Sequence, residues 1–144
     1  MAREKRKERR LKANLPIKIT PPDKSLIDAQ TENISRLGTY IEIKQGIRLG
    51  VHLDLEIEIP DYANNLSLAG AVKCKGDVFR CALLREIESK KIYGVGIFFT
   101  GFSGQQDRNK LSKYIDFLIF QEEEKVKQAT QRWREKREKR QDAQ

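Results

Sequence analysis

The sequence predicts a mainly β domain, a six- to seven-stranded antiparallel β-barrel followed by a C-terminal α-helix. Strand periodicity through the middle of the chain and helical periodicity after Gly104 support this prediction. The chain has 144 residues, enough for one compact domain and too few for two ordinary ones. We divide it into a basic, flexible N-terminal segment (1–12), a barrel (13–104) and a helix with a charged, frayed end (105–144).

The clearest strand covers residues 51–59, where every odd position is apolar and every even position is polar. Alternation of period two is typical of a strand with one buried face. Residues 15–19, 41–43 and 93–99 alternate in the same way. Residues 69–74 and 79–87 also look extended. Short strands at near-regular spacing favour an antiparallel barrel or sandwich, and closure of the sheet would remove its exposed edges.

Turn residues separate the last two of these extended segments. The sequence Lys75-Gly76-Asp77 predicts a hairpin turn, with Cys74 and Cys81 on either side of it. We interpret both cysteines as small side chains that are buried or half-buried.

The helix prediction depends on residues after Ser103. Ser103 and Gln106 have the spacing of a capping box, and an apolar stripe at helical spacing follows: Leu111, Ile115, Leu118 and Ile119. Beyond Phe120 the helix is predicted to continue, with few apolar positions. A solvated helix is the simpler interpretation of residues 122–144, and a homodimer formed through the helix is the alternative.

Composition excludes several classes of protein. No apolar run approaches the roughly 18–20 residues that span a bilayer, so we expect no membrane insertion. The basic N-terminus is not followed by a signal-peptide apolar stretch. The two cysteines form no CxxC motif, which gives no support for a disulfide scaffold or a zinc site. A cytoplasmic location is expected.

Catalysis has little support in the sequence. The single histidine, His52, lies on the polar face of the clearest strand together with Asp54, Glu56 and Glu58. We interpret these residues as a solvated face, because no second metal ligand or nucleophile accompanies them. The sequence therefore predicts no enzyme activity, no metal site and no cofactor.

The formal net charge of +8 lies mainly at the ends of the chain. Residues 1–12 carry seven basic and two acidic side chains, whereas residues 13–121 carry fourteen and thirteen. The N-terminal segment contains Arg6 and Arg10 in the spacing RxxxR. A polar turn in the barrel region contains Asn33, Ser35 and Gly38 in the spacing NxSxxG. As a local turn, this second motif needs only side-chain contacts to the backbone and a positive φ at the glycine.

The two motifs, in this order and on this strand pattern, resemble the PilZ domain family over roughly residues 5–120. That resemblance implies a bacterial receptor module for the second messenger cyclic di-GMP. It also implies that five residues bind the ligand: Arg6, Arg10, Asn33, Ser35 and Gly38. Additional contacts are expected from Lys5, Arg9, Arg36 and Lys73. The family accepts Asp or Asn at the first position of the second motif, and Asn33 adds no negative charge near a dianion.

The ligand chemistry agrees with these residue types. Cyclic di-GMP is a dianion with two guanines, and a guanidinium group can pair with phosphate, pair with guanine O6 and N7, or stack on a ring. Asn33 and Ser35 can bond to guanine edges or phosphate, and Gly38 lets backbone approach the ligand. We expect binding to order the arginine segment against the barrel and to create a surface for an unidentified downstream protein.

Two other functions fit the sequence less well. One is a small basic β-barrel that binds single-stranded nucleic acid, although the aromatics form no evident stacking platform among basic residues. The other is a ligand-independent PilZ-like adaptor, which both intact motifs disfavour. The sequence does not decide whether one or two cyclic di-GMP molecules would bind.

Overall fold

The computed structural model describes residues 9–62 and 68–142, and within this part of the chain there are seven strands and one helix. The strands are β1 (Leu11–Lys12), β2 (Pro16–Thr20), β3 (Ile27–Ile34), β4 (Gly38–Ile43), β5 (His52–Ile59), β6 (Gly70–Ile87) and β7 (Lys90–Phe102), and the helix is α1 (Gln105–Asp142).

Six strands form a closed antiparallel barrel in the order β3–β2–β5–β6–β7–β4, and pairing of β3 with β4 completes the ring. The seventh, β1, is a short extra strand beside β3, in which Leu11 pairs with Ile34 and Lys12 with Asn33. The predicted fold class, an antiparallel barrel with a C-terminal helix, is confirmed.

Alternation along the strands determines which side chains fill the barrel. On β5 the four odd-numbered residues from Leu53 to Ile59 are 3% exposed or less. On β7 the interior positions include Val95 and Ile97, both fully buried. Residues between such interior positions face outward, because successive side chains of a strand point to opposite faces. The alternation therefore identifies, on each strand, the residues that lie on the outer face of the barrel.

Thr31 fixes the chain where it passes from β1 to β2. Its hydroxyl donates to the Ala13 carbonyl at 2.5 Å and accepts from the Leu15 N–H at 2.9 Å. Its own N–H donates to the Leu15 carbonyl, and Asn14 Nδ2 donates to the Thr31 carbonyl, both at 2.9 Å. These bonds hold β1 against β3, beside the second sequence motif.

β6 is one continuous strand, so the predicted hairpin turn at residues 75–77 is wrong. Gly76 pairs with β5 on one side and with β7 on the other. A Cβ at this position would lie 2.6 Å from Ile97 Cγ2, which explains the glycine by close packing rather than by a turn. The turn between β6 and β7 is at residues 88–89, where Glu88 and Ser89 both have positive φ.

The first part of α1 covers one side of the barrel. Leu111 and Ile115 are at most 1% exposed, and Leu118 and Ile119 pack against the core, which confirms the predicted apolar stripe. The Tyr114 ring meets the Tyr62 ring edge-on, with 5.1 Å between their centroids. Packing of this stripe fixes the start of the helix on the barrel.

The second part of α1 extends past the barrel. The helix has 38 residues, which corresponds to a length of about 57 Å. Val126 is 61% exposed and Trp133 is 60% exposed, with the Arg137 guanidinium 5.3 Å from the centre of the Trp133 ring. Over the described residues, α1 is too polar to cross a membrane.

Candidate ligand-binding site

Arg10 of the first sequence motif lies close to the second motif, where β1 lies beside β3. Arg10 immediately precedes Leu11, and Ser35 immediately follows Ile34, the residue with which Leu11 pairs. Because β1 and β3 are antiparallel, Arg10 and Ser35 are at the same end of this strand pair. The structure therefore brings Arg10 to the turn that joins β3 to β4.

Asn33 faces outward at the end of β3. It pairs with Lys12 on β1 and with Tyr40 on β4, while the next residue, Ile34, is in the core. The Oδ1 atom of Asn33 is buried and has no hydrogen-bond partner among the described residues. A buried acceptor without a hydrogen bond destabilises the fold by about 1–3 kcal/mol. A ligand that donated a hydrogen bond to Asn33 Oδ1 would remove this penalty, which would favour binding.

Ser35 organises the turn between β3 and β4. Its Oγ accepts hydrogen bonds from the Leu37 N–H at 3.1 Å and the Gly38 N–H at 3.2 Å. Its own N–H donates to the Gly38 carbonyl at 2.9 Å, and the residue is only 5% exposed. The hydroxyl thus shapes the backbone that carries the motif.

Gly38 allows β4 to approach β7 closely. A Cβ at Gly38 would lie 2.2 Å from the Ile97 carbonyl oxygen, a distance that no side chain can occupy. The expected positive φ at this glycine is wrong, since Gly50 and Gly70 are the described glycines with positive φ. Its role in the structure is to remove a side chain between two backbones, which keeps the turn flat against the barrel.

Arg36 lies in the same turn but its side chain is directed to α1. Its Nε donates to Ser112 Oγ at 3.1 Å, and a terminal nitrogen forms an ion pair with Asp116. The Arg36 side chain is 29% exposed. A ligand contact by Arg36 therefore competes with α1 for the guanidinium group.

Arg9 also contacts α1, through an ion pair of 2.9 Å with Glu122. Its side chain remains 46% exposed. The helix thus provides carboxylates beside two of the cationic residues expected at the site. Lys5 and Arg6, the other N-terminal candidates, lie outside the described residues.

Lys73 is separated from the motif residues, contrary to the expectation that it adds to their site. It lies on β6 opposite Glu56 of β5, and both β5 and β2 intervene between β6 and β3. There it lines a surface depression of about 330 Å³ together with Lys18, Asp54 and Lys75. The expectation failed because the order of the strands around the barrel, which the sequence does not reveal, separates β6 from β3.

An aromatic surface next to Asn33 was missed by the sequence reasoning. Tyr40 pairs with Asn33, and its hydroxyl lies over Gly94 of β7. Phe79 covers Gly96, and Phe98 is outward-facing and 48% exposed. The sequence indicated no aromatic platform among basic residues, whereas on this face the half-exposed Phe79 directly precedes the exposed Arg80. Gly94 and Gly96, which take the outward-facing positions of β7 between Val95 and Ile97, were the signal available in the sequence.

The other chemically reactive side chains that the structure describes include His52 and the two cysteines. The His52 side chain is 83% exposed, and its Nδ1 lies 2.5 Å from Asp77 Oδ1. Within residues 9–62 and 68–142, no cluster of three metal-ligating side chains occurs. Cys74 is buried and Cys81 half-buried, both as free thiols on β6. Burial, with a smaller effect of Asp107, raises the pKa of Cys74 to about 12.

A family model for the PilZ domain matches residues 4–117. A comparison with curated protein sequences gives no significant match.

Solved structures with the same fold include three bacterial proteins. The Bacillus subtilis inhibitor of motility, MotI/DgrA, is 20% identical, with a TM-score of 0.64 over 83% of this chain and 53% of that one. The MrkH–c-di-GMP complex of K. pneumonia is 14% identical, with a TM-score of 0.68 over 86% and 57%. The PilZ domain of YcgR from Escherichia coli, solved with c-di-GMP, is 12% identical, with a TM-score of 0.58 over 86% and 98%.

The chain therefore spans about half the length of MotI and MrkH, and nearly all of the YcgR domain. At these identities the likeness establishes a shared fold.

Proposed function

Because this chain belongs to the PilZ domain family, we propose that it is a cyclic di-GMP receptor that signals through protein–protein contacts and has no enzyme activity. The observation that supports this most directly is the position of Arg10 beside the turn that carries Asn33, Ser35 and Gly38. A cationic side chain and a polar turn therefore lie at one edge of the barrel.

The proposed ligand matches the chemistry of this edge. Its phosphates require cations, which Arg6 and Arg10 provide, with Arg9 adding positive potential. Its guanines offer donors and acceptors to Asn33, whose Oδ1 is otherwise unpaired among the described residues. Ser35 contributes through the turn that it holds, because its buried Oγ accepts from the Leu37 and Gly38 N–H groups. Gly38 keeps the surface flat enough for a ligand to lie on it.

Known relatives give the proposal independent support. YcgR and MrkH were both solved with c-di-GMP, and each shares the barrel of this chain. The ligand is transferred to this chain through the family and the motif residues rather than through the low sequence identities.

We propose that ligand binding orders the N-terminal arginine segment that precedes β1 against the barrel. Two anionic phosphates near Asn33 would attract the arginine segment, and the joined surface would be the one that a downstream protein recognises. The proposed setting is the cytoplasm, and the exposed part of α1 is a possible surface for a homodimer. Hydrogen exchange should then show increased protection of the residues before Leu11 when cyclic di-GMP is added.

Calorimetric titration with cyclic di-GMP tests the receptor proposal and gives the number of bound molecules. GMP is the matched control, because it carries one guanine and a phosphate without the cyclic dinucleotide. We expect saturable binding of cyclic di-GMP at a concentration at which GMP gives no measurable heat. No heat with either nucleotide at millimolar ligand would overturn the proposal.

Single-stranded nucleic acid is the second candidate ligand, and the exposed aromatics beside Lys12 and Arg80 favour it. Exposed rings among cations bind bases with little sequence preference and with steep salt dependence. Binding of oligonucleotides that weakens strongly with salt, without any response to cyclic di-GMP, would support this function instead. A ligand-independent adaptor would bind neither.

A further inference from the structure

Three aromatic side chains form one outward-facing surface over β7, which we call the aromatic face: Tyr40, Phe79 and Phe98. The residues of β7 beneath it alternate with the core residues Val95 and Ile97, so the rings belong to the outside of the barrel. Phe79 and Phe98 are each 48% exposed. Their rings are thus available to a ligand rather than used to fill the core.

The glycines of β7 make this surface possible. At Gly96, a Cβ would lie 2.7 Å from the Phe79 ring, and at Gly94 it would lie 1.9 Å from the Tyr40 hydroxyl. The ends of these two side chains therefore reach over the β7 backbone, in space that a larger residue at Gly94 or Gly96 would occupy. An exposed aromatic ring is suited to stacking against another planar group.

The aromatic face is continuous with the candidate site. Asn33 pairs with Tyr40, and Gly38 pairs with Phe98, so two motif residues each have a strand partner on this face. Two strand spacings separate β3 from β7, or about 10 Å. A ligand with two linked bases can therefore contact Asn33 and the aromatic face at the same time.

Cationic residues flank the rings on both sides. One line of paired residues crosses the outer surface from β1 to β6: Lys12, Asn33, Tyr40, Gly96 and Arg80. Lys12 and Arg80, at its two ends, are both exposed. The combination of exposed rings and cations is suited to a planar base that carries a phosphate.

We propose that the aromatic face is a base-stacking subsite for one guanine of the bound cyclic dinucleotide, with Phe79 and Phe98 as its principal contacts. This inference rests on the proposed function, since it assigns a role to the surface next to the same motif residues. The proposal places that guanine over β7, two strand spacings from Asn33 on β3.

The test compares Phe79→Leu and Phe98→Leu with the wild-type chain by calorimetric titration with cyclic di-GMP. Leucine keeps an apolar side chain and removes the ring. We expect each variant to bind about 5- to 100-fold more weakly, the range for loss of one base–aromatic stack. Trp133→Leu is the matched control, because it removes an exposed ring from the far part of α1, and its affinity should equal that of the wild type.

A second measurement separates stacking from a structural effect. Phe98→Trp should restore affinity to within about threefold of the wild type, because any aromatic ring can stack. The guanine H8 resonance of the bound ligand should move upfield in the wild type and less so in Phe98→Leu. Thermal unfolding of each variant shows whether the barrel is intact.

The outcomes distinguish this inference from the function on which it rests. Absence of cyclic di-GMP binding by the wild type overturns both. Wild-type binding with unchanged affinity in both leucine variants overturns the stacking subsite and leaves the receptor function standing. If the leucine variants lose only binding to single-stranded oligonucleotides, the aromatic face belongs to a nucleic-acid site and the inference is wrong.

Discussion

Arg36, in the turn between β3 and β4, forms an ion pair with Asp116 of α1, and its Nε donates to Ser112 Oγ at 3.1 Å. The turn that carries the second motif is thereby connected to the helix by a contact between residues 80 positions apart. A dianion that attracts Arg36 must compete with the Asp116 carboxylate. If Arg36 contacts the ligand as we propose, ligand affinity and the docking of α1 are coupled through one guanidinium group.

Asp116→Asn should increase the affinity for cyclic di-GMP, because it removes a negative charge that competes with the ligand for Arg36. Asp116 is 65% exposed, and exposed ion pairs contribute about 0.2–1 kcal/mol, so we expect a gain of at most about fivefold. Glu124→Gln, which removes a carboxylate 3.7 Å from Lys127 on the same helix, is the control. Calorimetry in which Asp116→Asn binds no more tightly than this control would disprove the competition.

Arg10→Ala should weaken cyclic di-GMP binding by about 5- to 150-fold, since a well-formed arginine contact to a base or phosphate is worth about 1–3 kcal/mol. Arg134→Ala is a matched control from the exposed part of α1 and should leave the affinity unchanged. Titration calorimetry at constant salt measures both. Equal affinities for the two variants would remove Arg10 from the site.

Ser35→Ala should lower the free energy of unfolding by about 1–3 kcal/mol, because the Leu37 and Gly38 N–H groups lose their acceptor. Ser25→Ala removes a hydroxyl that donates to Asp23 at an exposed position and should change stability by no more than about 0.5 kcal/mol. Urea unfolding provides the comparison. A Ser35 variant as stable as the Ser25 variant would show that the hydroxyl does not hold the turn.

Gly38→Ala should destabilise the barrel by about 1–3 kcal/mol or more, the usual cost of forcing extra atoms into a packed region. The added methyl group would collide with the Ile97 carbonyl. Gly101→Ala is the control, since a Cβ there has no neighbour within 4 Å. We expect a lower Tm for Gly38→Ala alone, and equal Tm values would contradict the close approach of β4 and β7.

The thiol of Cys74 should make the stability of the fold depend on pH only above about pH 9. Its pKa is raised to about 12 in the folded chain against 9.0 as the ordinary value, so the unfolded chain loses this proton first. The contribution of the buried, neutral thiol to the free energy of unfolding is fully present below about pH 9 and decreases as pH rises towards 12.

Burial of Cys74 can be tested by its reactivity. In Cys81→Ser, Cys74 should react with a thiol reagent at neutral pH only after denaturant is added. Rapid reaction in the native protein would contradict this burial.

Strand alternation was sufficient to predict the barrel, because inward-facing residues such as Leu53, Ile57 and Ile97 repeat with period two. It could not distinguish a turn from a tightly packed strand at Gly76. Glycine occurs both in turns and where strands pack tightly. The Ile97 side chain, which leaves no room for a Cβ at Gly76, lies 21 residues further along the chain. The turn at residues 75–77 was predicted for this reason.

The site was predictable where its residues are close in sequence and not where the fold brings them together. Asn33, Ser35 and Gly38 form a short motif, so the sequence indicates them directly. The pairing of Arg36 with Asp116, the distance of Lys73 from β3 and the position of Phe79 over β7 all depend on strand order. Strand order follows from the packing of the whole barrel, which local patterns do not encode.

The exposed part of α1 has a mechanical consequence. About 34 Å of helix separates Ile119, where packing on the barrel ends, from Asp142. Arg9 and Arg36 hold this helix close to that pivot, through Glu122 and Asp116. A tilt of only 10° at Ile119, roughly, would move the far end by about 6 Å over that length. The helix is thus built as a lever arm, in which small changes at the arginine contacts become large displacements at its tip.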